Sequence, residues 1–262
     1  MKILAISLNT FRESIRDKLL YNLLFFALLM IGASLLFATL TVGEQSKIIS
    51  DIGLASTNIF GVMISIFLGI GLISKEIEKK TIYTIVAKPI ERYQFLIGKY
   101  SGLLLTLSIN TLIMGVGLYA VIFLNQWRWG FHIFDINPYL WKAIFLMFLE
   151  FMVITAVAIL FSSFSSSSTL SAIFTLAVYL IGHLTEELKL LGEKSHNLVL
   201  ESAVDFVYYV LPNLDNFNVK GRVVHELAVP ADYMLSVTAY GLLYVTLVLF
   251  TASVIFQRRD FR

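Results

Sequence analysis

The sequence predicts an all-α integral membrane protein. It should have six spanning helices, an N-terminal amphipathic helix and a charged helical segment between the second and third spans. Three observations predict this. First, the 262 residues are 58% apolar and only 15% charged, against about 25% charged in ordinary soluble domains, and the mean hydropathy is +0.80. So apolar a chain cannot cover a globule with polar surface, which excludes a soluble enzyme, a nucleic-acid binder and a disordered chain. Second, six stretches reach or approach the roughly 20 apolar residues that a bilayer crossing needs. Third, lysine and arginine gather in three segments that alternate with the crossings. The net charge of +2 points to no partner. The absence of cysteine excludes a disulfide framework, a Cys-ligated zinc site and a thiol nucleophile.

Residues 1–18 carry apolar side chains at Leu4, Leu8, Phe11, Ile15 and Leu19, at helical spacing, with Arg12, Glu13, Arg16 and Asp17 between them. This is the pattern of a basic amphipathic helix lying in the membrane interface. The first span follows at about 19–42. Its apolar run is too long for a signal-peptide core and no small-x-small cleavage site follows, so the helix is retained. The second span lies at about 54–73. The third, at about 95–124, is long enough to tilt. The fourth, at about 141–161, is interrupted by Glu150. The fifth, at about 170–184, is short and runs straight into Glu186 and Glu187, and the sixth lies at about 233–256. Barrel strands would show ten-residue alternation instead of these uniform runs.

Orientation follows from lysine and arginine. Lys2, Arg12, Arg16 and Lys18 precede span one; Lys75, Lys79, Lys80, Lys88, Arg92 and Lys99 lie between spans two and three; Arg258, Arg259 and Arg262 end the chain. These segments are expected to be cytoplasmic, with both termini inside a cell (inner) membrane. By parity the Ser-rich turn at 162–168 is inside too. Trp127, Trp129, Tyr139 and Trp141 cluster at one outer edge, as an interfacial aromatic belt does.

Segment 74–99 is more than a connection needs, since a few polar residues would join two spans. Ile77, Thr81, Ile82, Ile85 and Val86 line one face of a short helix that Pro89 should stop. Its order, Ser-Lys-Glu-x-Glu-x-x-Thr-Ile followed by Ala-Lys-Pro-Ile-x-Arg-x-x-Phe-Leu-x-Gly-Lys, resembles the ABC-2 class of ABC-transporter permeases. Glu76, Thr81, Pro89, Arg92, Gly98 and Lys99 match the family pattern, while Lys80 stands where glycine is usual. Phe11-Arg12-Glu13-x-x-Arg16, the Ser-rich turn, Leu211-Pro212-Asn213 and Phe217 agree. The nearest flavour resembles permeases of the multicopper-enzyme-maturation and gliding-motility group.

The resemblance implies one transmembrane domain over 1–262, with an interfacial helix at 1–18, a coupling segment at 74–92 and an external segment at 185–232. It implies a permease subunit that couples ATP hydrolysis by a separate ATPase to substrate export or to mechanical transmission. The chain has no Gly-x4-Gly-Lys-Ser/Thr loop, so it is not expected to hydrolyse ATP itself. The coupling helix would dock on cytosolic ABC ATPase subunits through Lys75, Glu76, Ile77, Glu78, Lys79, Lys80, Thr81 and Ile82, with Arg12, Glu13 and Arg16 of the interfacial helix nearby. A second permease subunit, most simply a homodimer, and an extracytoplasmic partner protein are the other expected partners besides the bilayer. Gly98-x-x-x-Gly102 and the set Gly61, Gly69 and Gly71 permit close helix packing, although ordinary glycine use in membrane helices explains them as well.

A carboxylate nine residues into a span is costly and faces the bundle interior or water, which makes Glu150 a candidate for the translocation path. A structural, hydrogen-bonded glutamate is the competing reading. His183, Glu186, Glu187 and His196 supply an i, i+4 pair without a convincing third ligand, so no metal is expected. No cofactor is implied. No nucleophile elbow occurs. The alternative reading, an ATP-independent secondary transporter or channel, would call for repeated halves and more midplane charge.

Overall fold

The computed structural model describes residues 2–41, 44–78, 91–128, 137–165, 167–194 and 198–258. The described residues form helices and no strands: α1 (Lys2–Ile15), α2 (Lys18–Thr39), α3 (Gln45–Glu78), α4 (Arg92–Arg128), α5 (Leu140–Phe164), α6 (Ser168–His183), α7 (Thr185–Lys194), α8 (Leu198–Val210), α9 (Lys220–Val224) and α10 (Ala231–Arg258), with a 3-10 turn at Asp215–Phe217. Five of them are long and apolar enough to cross a bilayer. The pair α6 and α7, bent by 64° at Leu184, makes a sixth crossing if counted together. The protein is therefore an all-α, multi-pass membrane protein.

Helix α5 is the centre. In its most apolar window 72% of residues are buried, against 22% for α2 and 28% for α10. It is apolar all round, as a helix enclosed by others must be. Helices α3, α4, α6 and α10 surround it, and α2 lies against α3 and α4. Helix α2 buries Leu20, Ala27, Ile31, Ser34 and Ala38, and turns Phe25, Leu36 and Phe37 outward. Helix α10 buries Val237, Gly241, Val245, Val248, Ala252 and Phe256, while Leu243, Leu247 and Phe250 face out. Lipid tails solvate such apolar outer faces.

Small residues set how close the helices come, as membrane packing requires. A Cβ at Gly61 of α3 would lie 2.1 Å from the Phe151 ring of α5, and one at Gly69 would lie 2.7 Å from the Ala158 Cβ. The Ser65 hydroxyl, between them, donates to the Gly61 carbonyl at 2.8 Å and is thereby satisfied inside its own helix. Gly61 and Gly69 are thus packing residues within one chain.

Two boundaries differ from the sequence reading. Helix α3 begins at Gln45, earlier than the apolar run from 54, and continues without a break to Glu78. Lys75, Glu76, Ile77 and Glu78 therefore continue α3, and the rest of the short helix expected between spans two and three lies outside the described residues. At about 1.5 Å per residue, the 34 residues of α3 exceed a hydrocarbon core of roughly 30 Å. Helix α4 also overruns its apolar stretch, reaching from Arg92 to Arg128.

The ends of the bundle sort as the charges predict. The start of α2, the stretch Ile64–Gly71 of α3 and Ser168, Thr169 and Ala172 of α6 line one cavity of about 330 Å³. The Ser-rich turn thus lies at the same end as the basic start of α2. The Arg92 guanidinium donates to the carbonyls of Phe256 and Gln257 at 3.1 and 2.9 Å, which brings the start of α4 to the end of α10. At the opposite end the Asn137 side chain donates to the Val223 carbonyl at 2.6 Å and Lys142 to the Val229 carbonyl at 2.8 Å. Trp127 and Trp141 are exposed there, Trp141 stacking on Tyr119 at 4.8 Å; Trp129 lies outside the described residues.

Candidate functional site

Two constellations rise above the scaffold. The first is a platform at the basic end, built from α1 and the start of α4. Helix α1 buries Ser7, Thr10 and Ser14, whereas Leu4 and Leu8 are exposed. It packs through its small polar side and leaves its apolar side to the membrane. The reason sits in α4. A Cβ at Gly98 would lie 2.8 Å from the Ile6 Cβ, and one at Gly102 would lie 2.5 Å from the Ser7 carbonyl oxygen. The Gly-x-x-x-Gly pair is a seat for α1. Lys99, between the two glycines and only 4% exposed, lies 3.5 Å from the Glu13 carboxylate and 5.5 Å over the Phe95 ring. Phe95 in turn stacks on Phe256 of α10 at 6.2 Å.

Of the residues expected to contact an ATPase, Arg12, Glu13 and Arg16 are exposed on α1. Glu13 is also tied to Lys99, a pairing that spacing along the chain does not reveal. Lys75, Glu76, Ile77 and Glu78 form the end of α3. Lys79, Lys80, Thr81 and Ile82 lie outside the described residues, as does Pro89, which was expected to stop the short helix.

The second constellation is inside the bundle. Glu150 is 1% exposed, and both of its carboxylate oxygens are engaged. The Asn58 amide of α3 donates to Oε2 at 2.9 Å. Nε2 of His183, the last residue of α6, lies 3.0 Å from Oε1. The Tyr179 hydroxyl donates to Asn58 Oδ1 at 3.2 Å, which turns the Asn58 nitrogen toward Glu150. The Tyr179 and His183 rings meet edge to face at 4.8 Å. Four polar side chains from three helices thus satisfy one another where water cannot, as polar groups at membrane depth require. Sequence reasoning marked Glu150 and noticed His183, but missed Asn58 and Tyr179. Their signal was weak: an asparagine and a tyrosine within otherwise apolar runs. In this conformation Glu150 is enclosed by its partners and is separate from the 330 Å³ cavity, whose lining includes none of the four.

Among the described residues no three His, Cys, Asp or Glu side chains gather where one metal ion could be held. His183 is committed to Glu150, and His196 lies outside the described residues.

Beyond the cluster, the end of α6 is fastened to the external segment. The Leu214 N–H donates to the Gly182 carbonyl at 2.8 Å, and the Asn213 N–H donates to the Tyr240 hydroxyl of α10, also at 2.8 Å. Phe217, 1% exposed, packs against Tyr240. The Leu211-Pro212-Asn213 stretch and Phe217 therefore close the end of a short span.

The family model described as ABC-2 family transporter protein matches residues 4–261, nearly the whole chain. The chain belongs to the ABC-2 transporter family. No curated protein matches it. ABC-2 membership makes the protein a transporter-family membrane subunit and implies association with ABC ATPase subunits, typically in a dimeric arrangement. It leaves the finer multicopper or gliding-motility group unassigned. Within this ABC-2 chain, the family-like residues Gly98 and Lys99 seat α1 against α4, and Arg92 binds the carbonyl end of α10.

Proposed function

We propose that the protein is the permease subunit of an ATP-driven ABC transporter, in which a separate cytosolic ATPase hydrolyses ATP and drives substrate export or mechanical transmission across the inner membrane. The family match over 4–261 carries this reading. Both termini and segment 74–92 are cytoplasmic, following the lysine and arginine distribution. Lys75, Glu76, Ile77, Glu78, Lys79, Lys80, Thr81 and Ile82 dock on the ATPase, with Arg12, Glu13 and Arg16 beside them. Apolar Ile77 and Ile82 anchor, and the charges set orientation. Closure of two ATPase subunits then shifts the helices as rigid bodies. Two supports come from the architecture. Helix α3 reaches this segment as one uninterrupted rod, and α1 is seated on α4 immediately after the segment. A second permease copy completes the transporter. The apolar outer faces of α2 and α10 are available to it as well as to lipid.

The test is purification of the tagged chain in mild detergent from its native host, with ATP hydrolysis assayed on the eluate. A soluble ATPase should co-elute, and the Glu76→Lys, Glu78→Lys double variant should lose it. If no ATPase co-elutes in several detergents and crosslinking finds none, the reading is wrong and ATP-independent transport replaces it.

A further inference from the structure

We propose that the Asn58–Glu150–His183 chain carries motion of α3 to the bend between α6 and α7, making Asn58 and His183 positioning residues for the external segment. The proposal rests on the coupling reading above and adds the route by which the far side of the membrane responds.

The argument starts from α3. It is continuous from Gln45 to Glu78, so Asn58 and the ATPase-facing end ride on one rod, about 30 Å apart at 1.5 Å per residue. Asn58 is 3% exposed and holds Glu150 at 2.9 Å. Glu150 holds His183 at 3.0 Å. His183 immediately precedes Leu184, the single residue between α6 and α7, where the axis turns by 64°. The Leu184 backbone leaves the helical region there, at φ −107° and ψ 8°. The pivot of the external helices is thus gripped from outside its own helix, by a side chain of the central helix α5.

Apolar contacts would hold three helices together at lower desolvation cost. Packing of Phe151 on Gly61 holds α3 against α5, and the hydrogen bonds extend that hold, with direction, to the last residue of α6. A hydrogen bond near 3 Å is lost within a displacement of well under a helical turn. The chain therefore gives the bend two discrete settings, held or released, instead of a continuous range. Such a two-state element is what physical coupling between distant sites requires.

The permease chain has no cysteine, so it adds no background to paired spin labels, and any signal from the ATPase is subtracted with the complex of the cysteine-free wild-type permease. The experiment uses the permease purified with its co-eluting ATPase and reconstituted in lipid nanodiscs. One label pair, Ser74→Cys and Gln257→Cys, reads the basic end. A second pair, Glu193→Cys and Asp232→Cys, reads the opposite end. Distances are measured without nucleotide and with ATP and vanadate. With the chain intact, both distances should shift by about 2 Å or more. In His183→Phe and in Asn58→Leu the first shift should persist and the second should disappear. Glu150→Gln keeps hydrogen-bonding capacity toward both neighbours and should retain both shifts. The double variant Glu150→Leu, His183→Phe removes both groups of the pair at once, so it tests the same loss should a single variant fail to fold.

A second-pair shift that survives in His183→Phe, Asn58→Leu and the double variant overturns the proposal while leaving the ATPase reading intact. So does a wild-type first-pair shift with no second-pair shift. An unmoved first pair in the wild type overturns the coupling reading, and this proposal with it.

Discussion

Gly102 of α4 lies so close to Ser7 of α1 that a Cβ at position 102 would stand 2.5 Å from the Ser7 carbonyl oxygen. Backbone cannot swing aside as a flexible side chain can, so Gly102→Leu should push α1 off its seat. We expect a loss of about 1–3 kcal/mol, the usual cost of overpacking. Limited proteolysis should show faster cleavage within 1–18. Unchanged cleavage would mean that α1 is held by lipid instead of by α4.

The α3–α5 contact has a similar weak point. A Cβ at Gly61 meets the Phe151 ring at 2.1 Å, and that ring is fully buried. Gly61→Ala should destabilise the protein by about 1–3 kcal/mol, read as a lower melting temperature in mild detergent. Phe151→Leu vacates part of the space, so the double variant should be more stable than the sum of the two single changes predicts. Simple additivity would place the two residues out of contact.

His183→Leu removes one of the two neighbours of a buried carboxylate. The expected loss is about 1–3 kcal/mol, the usual cost of leaving a buried polar atom without its partner. Replacing all three members together, Asn58→Leu, Glu150→Leu and His183→Phe, should cost less than the sum of the single losses, because no member of the hydrogen-bonded chain is left buried without its partner. Thermal unfolding of the single and triple variants checks this. A triple variant that loses as much as the single losses added together would show that the three residues do not act as one unit.

Arg92 donates to the carbonyls of Phe256 and Gln257 at the end of α10. A cation there satisfies the last helical acceptors and complements the helix dipole. Arg92→Leu should leave the rest of the bundle intact and fray that turn. Hydrogen exchange of amides at 254–258 should speed up by up to about tenfold, equivalent to roughly 1.4 kcal/mol. Exchange unchanged at those amides would show that Phe95 stacking on Phe256 is sufficient by itself.

Much of this architecture was legible in the residues. The apolar runs marked α2, α4, α5 and α10, and the spacing of Leu4, Leu8, Phe11 and Ile15 marked α1. The start of α3 at Gln45 was not legible, because hydropathy measures the lipid-soluble part of a helix and not how far it projects into water. The roles of the glycines were ambiguous for a related reason. Spacing at i, i+4 states that two glycines share a face but not what the face meets. Here Gly98 and Gly102 meet α1, and Gly61 and Gly69 meet α5.

The polar cluster shows the same division. Glu150 stood out because a carboxylate in an apolar run is costly. Its partners Asn58 and His183 are 92 and 33 residues away in the chain, with nothing local to pair them.

The sequence by itself determined the solvent. Bilayer thickness and the cost of unpaired backbone polar groups leave a chain this apolar only helices of spanning length. It also determined the sorting of charge to one end, since lysine and arginine resist translocation. The tertiary structure alone decided which helix is central, where α6 breaks, and that Glu150 is clasped by Asn58 and His183. Those outcomes depend on which helix faces meet in three dimensions, a property of packed surfaces that no linear spacing encodes.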